Sequence, residues 1–371
     1  MPYIKRLTVV SFCFASTVSH ATGLNFWESS TTNSALASAN GARAMDASVL
    51  ATAPSSMTQF DSSIVTGNVT RYQVDTDYDI FGDKSNYSKS DPIPAGFFVT
   101  PLTDKWYFGL AAYSRTAADI SVPELPIIPP LISIDEARVR PIVVSFAPSV
   151  AYQFGEVSVA GTLEYQYADY TLERTECNWR GCSLSSQSGT TSGWSGALSA
   201  TWQANDKVSF AATHRFATQF GDDNIDFDLP SITSVYASLE LVDDLIWHNT
   251  YSLSRWKGKS IQYDDYMDFI GLLKGSQHSK RLATSLEYQW HDVTVMAGVS
   301  IDEAIDAFGG EDVRYRLGVG YQLTENLKVD LAGFKENYAR KYLNETILGE
   351  EVKVDVQNSG YGVSLGITYQ M

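Results

Sequence analysis

The chain has 371 residues, with 27 Lys and Arg against 43 Asp and Glu and a net charge of −16. That balance excludes nucleic acid as a partner, because its binding needs a basic face to neutralise phosphates. Apolar residues are 44% of the chain, yet beyond the amino terminus they are scattered, and nothing approaches the roughly 20-residue apolar block of a membrane helix.

In chain order, Lys5 and Arg6 precede a mostly apolar stretch from Leu7 to Val18, and Ser19-His20-Ala21 follows with small residues. Charge, apolar segment and small-x-small site in that order predict a secretory signal peptide cleaved after Ala21. The alternative, a membrane anchor, fails because the stretch is shorter than the roughly 20 residues a spanning helix needs. Loss of Lys5 and Arg6 makes the mature chain still more acidic. Residues 22–58 are rich in Ala, Ser, Thr, Asn and Gly and show no sustained alternation.

Residues 59–371 read differently. Short polar turns at 102–105, 154–156, 203–206, 242–244, 290–292 and 323–326 each join two alternating apolar runs, as hairpins do. Longer polar stretches, read as loops, separate them at about 73–92, 115–137, 174–192, 217–229, 257–279, 302–311 and 335–357. This punctuation implies about fourteen strands, an even number as single-chain bacterial outer-membrane barrels require. In the last strand Tyr361, Val363, Leu365, Ile367 and Tyr369 alternate with Gly362, Ser364, Gly366 and Thr368, which puts one set toward lipid and the other toward a lumen. Trp106, Tyr152, Phe154, Trp202, Trp247, Tyr288, Trp290 and Tyr321 gather beside the short turns, as an interfacial aromatic girdle would. The expected fold is therefore all-β: a transmembrane antiparallel barrel of the bacterial outer membrane, bathed in outer-membrane lipid and lipopolysaccharide, with residues 22–58 as a plug.

Cys13 leaves with the signal peptide, and Cys177 and Cys182 remain five positions apart. In an oxidising compartment they suit a local disulfide; a metal site is the alternative, with no nearby His to complete it. Gly362-Val-Ser364-Leu-Gly366 matches a nucleophile-elbow pattern but lies inside an alternating strand, where the required strand-to-helix turn is missing. His214, His248, His278 and His291 have no ligand spacing. No catalytic residue, cofactor or metal is expected.

The mature start Gly23-Leu-Asn-Phe-Trp-Glu-Ser-Ser30, the run Ala53-Pro54-Ser-Ser-Met-Thr-Gln-Phe-Asp61, and the stretches Pro94–Ser114, Phe146–Arg174 and Leu229–Trp256 resemble, in order and spacing, the FadL/TodX family of outer-membrane transporters of long-chain fatty acids and hydrocarbons. In the family's Asn-Pro-Ala motif this chain keeps Pro54 but carries Ala53 and Ser55. The resemblance implies a lumenal hatch, a capture groove built by extracellular loops, a lateral opening in the wall, and passive uptake by a monomer.

On that resemblance the apolar, proline-rich stretch from Ile120 to Ile134 becomes the capture groove, through Val122, Leu125, Ile127, Ile128, Leu131 and Ile132; a lid packed on neighbouring loops is the other reading. Arg174 matches the family's carboxylate-binding arginine, or is an ordinary rim arginine near Glu173 and Glu176. The family's partner lysine is not matched: Lys257 and Lys259 lie nearby in a different alignment, which widens the expected cargo from fatty acids to apolar compounds in general. Leu24, Phe26 and Trp27 are expected to hold a ligand tail. Arg281, Arg314, Arg316 and Lys328 face the lumen by parity and are expected to pair with carboxylates such as Glu287 and Asp330. An outer-membrane phospholipase or protease, a general porin, and a surface adhesin or phage receptor are the competing functions.

Overall fold

A computed structural model describes residues 25–80, 83–117, 120–122, 125–128, 132–134, 137–178, 181–221, 225–259, 261–263, 276–305, 309–347 and 350–371. Fourteen strands form the staves of an antiparallel barrel. The first seven are β1 (Ile64–Ile80), β2 (Asp83–Pro101), β3 (Trp106–Ala117), β4 (Ala137–Phe154), β5 (Val157–Asn178), β6 (Gly181–Asn205) and β7 (Val208–Arg215). The others are β8 (Ile232–Val242), β9 (Leu245–Ser254), β10 (Ser279–Trp290), β11 (Val293–Glu303), β12 (Glu311–Thr324), β13 (Leu327–Asn337) and β14 (Glu350–Gln370). Each stave pairs with the next in sequence, and β14 pairs back onto β1 from Ile64↔Gln370 to Ile80↔Val354. Closure joins the staves into a ring, as the bilayer interior demands of a β structure.

The side-chain period of two decides which face meets lipid. On β14, Tyr361, Val363, Leu365, Ile367 and Tyr369 are exposed, and Gly362, Ser364, Gly366 and Thr368 are buried. β12 repeats the pattern, with Tyr315, Leu317, Val319 and Tyr321 outside and Arg314 and Arg316 inside. The core is thus inverted relative to a soluble protein: greasy residues face out, and hydroxyls and charges face in. At the short-turn end girdle residues pack ring against ring, with centroids 4.7 Å apart for Trp106–Tyr152 and 4.4 Å for Tyr152–Phe154. The turns themselves use residues that tolerate a left-handed backbone: Gly155 at φ 64°, Asp244 at 67° and His291 at 51°.

The long polar stretches correct the sequence reading. Two of them are strand, not loop, through most of their length: Gln73↔Ser90 to Ile80↔Asp83 continue the β1–β2 hairpin, and Arg174↔Ser185 to Asn178↔Gly181 continue β5–β6. A further strand, Lys341–Ile347, pairs with Glu350–Val356 of β14. A membrane strand needs only about 9–11 residues, so the 25 residues of β6 project well past the bilayer. Alternation of apolar and polar residues marks only the part of a strand with one greasy face, and beyond it the exposed positions Asp77, Asn86 and Ser88 are polar, so no such signal shows.

Inside the barrel, Asn25 to Phe60 form a compact hatch. Helix α1 (Thr31–Ala35) is capped by Ser30, whose hydroxyl accepts from Asn33 N at 3.0 Å. A 3-10 turn at Ala47–Ala51 is capped by Asp46, accepting from Ser48 N at 2.8 Å, and a second at Pro54–Gln59 begins with proline. Short hydroxyls fasten the hatch to the wall: Thr31 to Ser364 at 2.8 Å, and Ser55 and Ser56 to Thr201 at 2.7 and 2.8 Å. Small residues let it sit close. A Cβ on Gly318 of β12 would come within 2.4 Å of the Ala35 Cβ.

Candidate functional site

The wall has one weak seam among its described pairings. β2 and β3 are joined only from Gly96↔Ala112 to Pro101↔Tyr107. Beyond Gly96, β2 continues on β1 alone, and beyond Ala112, β3 continues on β4 alone. Local chemistry accounts for the parting. Pro92 and Pro94 have no N–H to give a neighbour, and β3 bulges between Ser114 and Thr116, which re-aims the strand.

The hatch fills the gap behind this seam. Phe26 N donates to the carbonyl of Arg115, the bulged residue, at 3.1 Å. The Phe26 ring packs among Tyr72 of β1, Ile93 of β2, Ala117 of β3 and Phe334 of β13, with ring centroids 6.1 Å apart for Phe26–Tyr72 and 5.6 Å for Tyr72–Phe334. An apolar stopper thus stands where the two strands separate.

Beside Phe26 lies a small cavity lined by Trp27, Tyr113, Arg115, Arg215, Ile232 and Tyr236, among others. Its free volume is about 40 Å³, room for a few waters but not for an organic cargo. Its charged side is built by three strands: Glu164 of β5 accepts from Arg115 of β3 at 3.0 Å and from Arg215 of β7 at 2.8 Å. Arg215 also donates to Tyr113 Oη at 2.8 Å and to the hatch carbonyl of Ala51 at 3.2 Å. Two guanidiniums share one carboxylate, so this side keeps an excess of positive charge.

A second polar cluster holds the hatch to the opposite wall. Glu28 pairs with Arg316 and, at 3.7 Å, with Arg314. Arg314 also meets Asp302 at 3.6 Å and Glu336 at 3.4 Å, and Arg281 meets Asp302 at 3.1 Å. Glu336 accepts from Tyr72 and Tyr338, so the cluster touches the aromatic stopper. Burial pushes the Glu28 carboxyl up, but Arg316, Arg314 and Arg281 outweigh it and hold the group below the ordinary carboxylate range.

The predicted site residues divide. Phe26 and Trp27 line the cavity, and Trp27 also lies under the Arg281 guanidinium, 4.7 Å from ring centroid to Cζ. Leu24 and Leu131 lie outside the described residues. Val122 ends a short strand paired with β4, and Leu125 and Ile128 face Ile134 and Ile132 across a small hairpin that includes Ile127. Register runs Val122↔Ala137↔Arg174↔Ser185, which sets the backbone of Arg174 two strand spacings, about 10 Å, from the apolar segment. Cys177 and Cys182 are directly opposed partners. Their side chains, like those of Arg174 and the 120–134 segment, are outside the described set.

One expected pairing needs correction. Lys328 does meet Asp330, at 2.9 Å, but Glu287 serves none of the arginines. It accepts or shares a proton with His248 Nε2 at 3.0 Å, and His248 Nδ1 meets Ser238 Oγ at 2.8 Å. This Ser-His-Glu chain is buried on all three members and satisfies polar groups against the barrel interior. Lys259 is held by Asp228 at 3.6 Å. Sequence reasoning also missed Glu28, Arg115, Glu164 and Arg215. Parity could have found Glu164, since Leu163 and Tyr167 face out on the same strand; the bulge at Arg115 leaves no sequence mark.

Residues 12–221 match the family described as outer membrane protein transport protein (OMPP1/FadL/TodX). A FadL homologue of Pseudomonas aeruginosa superposes with a TM-score of 0.75 at 14% identity, covering 92% of this chain and 98% of its own. The toluene transporter TodX of P. putida gives 0.68 at 13%, covering 89% and 95%. The toluene transporter TbuX of Ralstonia pickettii gives 0.68 at 13%, covering 95% and 100%. No curated protein matches in sequence. The structural likenesses speak to the fold, and the match over residues 12–221 speaks to descent: the chain belongs to the OMPP1/FadL/TodX family of outer-membrane transport proteins.

Proposed function

We propose that this protein carries small hydrophobic compounds, long-chain fatty acids or aromatic hydrocarbons, passively inward across the outer membrane, as a monomer and without catalysis. Residues 22–58 act as the hatch and 59–371 as the wall. The observation that carries this reading is the stoppered seam: β2 and β3 part where Phe26 sits. Cargo caught by the apolar segment 120–134 passes Arg174, enters beside Phe26 and Trp27, and leaves sideways between β2 and β3. The free volume of about 40 Å³ means that entry requires Phe26 and Trp27 to move, so binding and opening are one event. Each transfer exchanges one apolar contact for another at about 25 cal/mol per Å², so no step needs an energy source. The toluene transporters among the structural relatives support an aromatic cargo. The Arg115–Glu164–Arg215 cluster supports an amphiphile as well, because its excess charge suits a carboxylate head. Cys177 and Cys182 form a disulfide that pins the β5–β6 hairpin.

The test is uptake by a deletion strain against its parent and a complemented strain, across a fatty acid and an aromatic hydrocarbon. Restored uptake of either cargo supports the reading; identical uptake by all three strains for every cargo rejects it.

A further inference from the structure

The outer wall carries a groove that transport does not use. Across β9 to β13 the lipid-facing side chains alternate between bulky and small within one hydrogen-bonded row. Trp247, Leu286 and Leu317 stand out, while Ala297 and Gly333 between and beside them leave the backbone almost bare. Nothing but a backbone oxygen, at 3.8 Å, lies near the place of a Gly333 Cβ. Trp247 Nε1 donates to Thr284 Oγ1 at 2.7 Å, which lays the indole along the floor. The resulting hollow measures about 1060 Å³ and its lining is overwhelmingly apolar, a size at the upper end of the roughly 300–1,000 Å³ typical of ligand sites.

One end of the groove is charged. β13 starts at a short turn with Leu327 and runs toward the long hairpins at Asn337, so Lys335 stands at its outer end. Lys335 is exposed and lines the groove. Its direct cross-strand neighbours are Tyr315 and Tyr361, outward tyrosines of the kind that mark the headgroup level. Below it the outward positions of β13 are Gly333 and Leu331. Among the described residues Lys335 has no carboxylate partner, whereas outward Lys280 is paired with Glu303 at 3.3 Å. In a chain of net charge −16, an unpaired lysine at the head of an apolar groove points to an anionic amphiphile.

We propose that the groove seats an acyl chain of the phosphorylated glycolipid of the outer leaflet, lipid A of lipopolysaccharide, with the Lys335 ammonium on its phosphate. The leaflet follows from the direction of β13, the phosphate from an exposed ammonium at the outer end of the groove with no carboxylate partner among the described residues, and the acyl chain from the bare floor at Ala297 and Gly333. The contact stabilises the wall from outside and is independent of the uptake reading, since none of these residues borders the hatch-side cavity.

Full-length protein is extracted from outer membranes in mild detergent, and native mass spectrometry counts the lipid it retains. The expected result is one lipid A species per chain, reduced at least about tenfold in Lys335→Glu and similarly in Gly333→Leu, which fills the groove. Lys335→Arg restores retention, and because it and Lys335→Gln alter only an exposed side chain they keep the test open if Gly333→Leu folds poorly. Retained phospholipid in place of lipid A, a second copy of the chain, detergent alone, or equal lipid A on every variant overturns the proposal.

Discussion

At the scale of single residues, the account rests on Phe26, Arg115 and Glu28, each of which makes a different prediction. Phe26 closes the seam by apolar packing, so Phe26→Ala forfeits about 3 kcal/mol of local burial and leaves a gap. Planar bilayers holding this variant should show leak current where the parent shows little; equal current in both would remove the stopper role. Arg115 supplies charge, not closure. Arg115→Gln should cut fatty-acid uptake about tenfold, the worth of one charge-assisted hydrogen bond, and leave toluene uptake unchanged. An equal fall for both cargoes would mean that Arg115 is structural. Glu28 holds the hatch through Arg316 and Arg314. Because its folded carboxyl titrates below the ordinary range, the pairing stabilises the hatch at all pH above about 4.3 and is lost as pH falls below that. Hydrogen exchange in residues 25–40 should therefore rise once the pH falls below the ordinary carboxylate range, before the strands open. In Glu28→Gln that step should be gone and exchange high at every pH.

At the scale of elements, the staves were readable because a membrane strand must alternate. The set of Tyr361, Val363, Leu365, Ile367 and Tyr369 predicts its own lipid face, and the structure has it outside. The extracellular halves were not readable, since outward positions such as Asp77, Asn86 and Ser88 are polar and exposed, so no apolar period marks them. The hatch was legible as small and polar but not as α1 and two 3-10 turns, which fall below the length at which periodicity shows. The β3 bulge was invisible, and with it the reason Arg115 turns toward Glu164. The close seat of α1 gives a prediction at this scale. Gly318→Leu drives side-chain carbon into the space of Ala35, so the hatch should be displaced while the barrel still closes. Protease cleavage within residues 25–60 of the folded variant checks this, and a hatch as protected as the parent's would contradict it.

At the scale of the whole molecule, a closed wall, an interior plug and one short seam among the described pairings are the parts from which the proposed lateral route is built. The proposed route would differ from that of a porin, which conducts through an open lumen. Uptake through the seam needs the gap between β2 and β3 beyond Gly96 to widen past Phe26, whereas diffusion through the lumen does not. The most direct test replaces Ile93 and Ala117, on either side of the parting, with cysteines and joins them by a short reducible thiol cross-linker in whole cells. The account predicts that uptake of a fatty acid and of toluene falls to the level of the deletion strain when the link is made and returns when it is reduced. Undiminished uptake with the seam locked shut would contradict it.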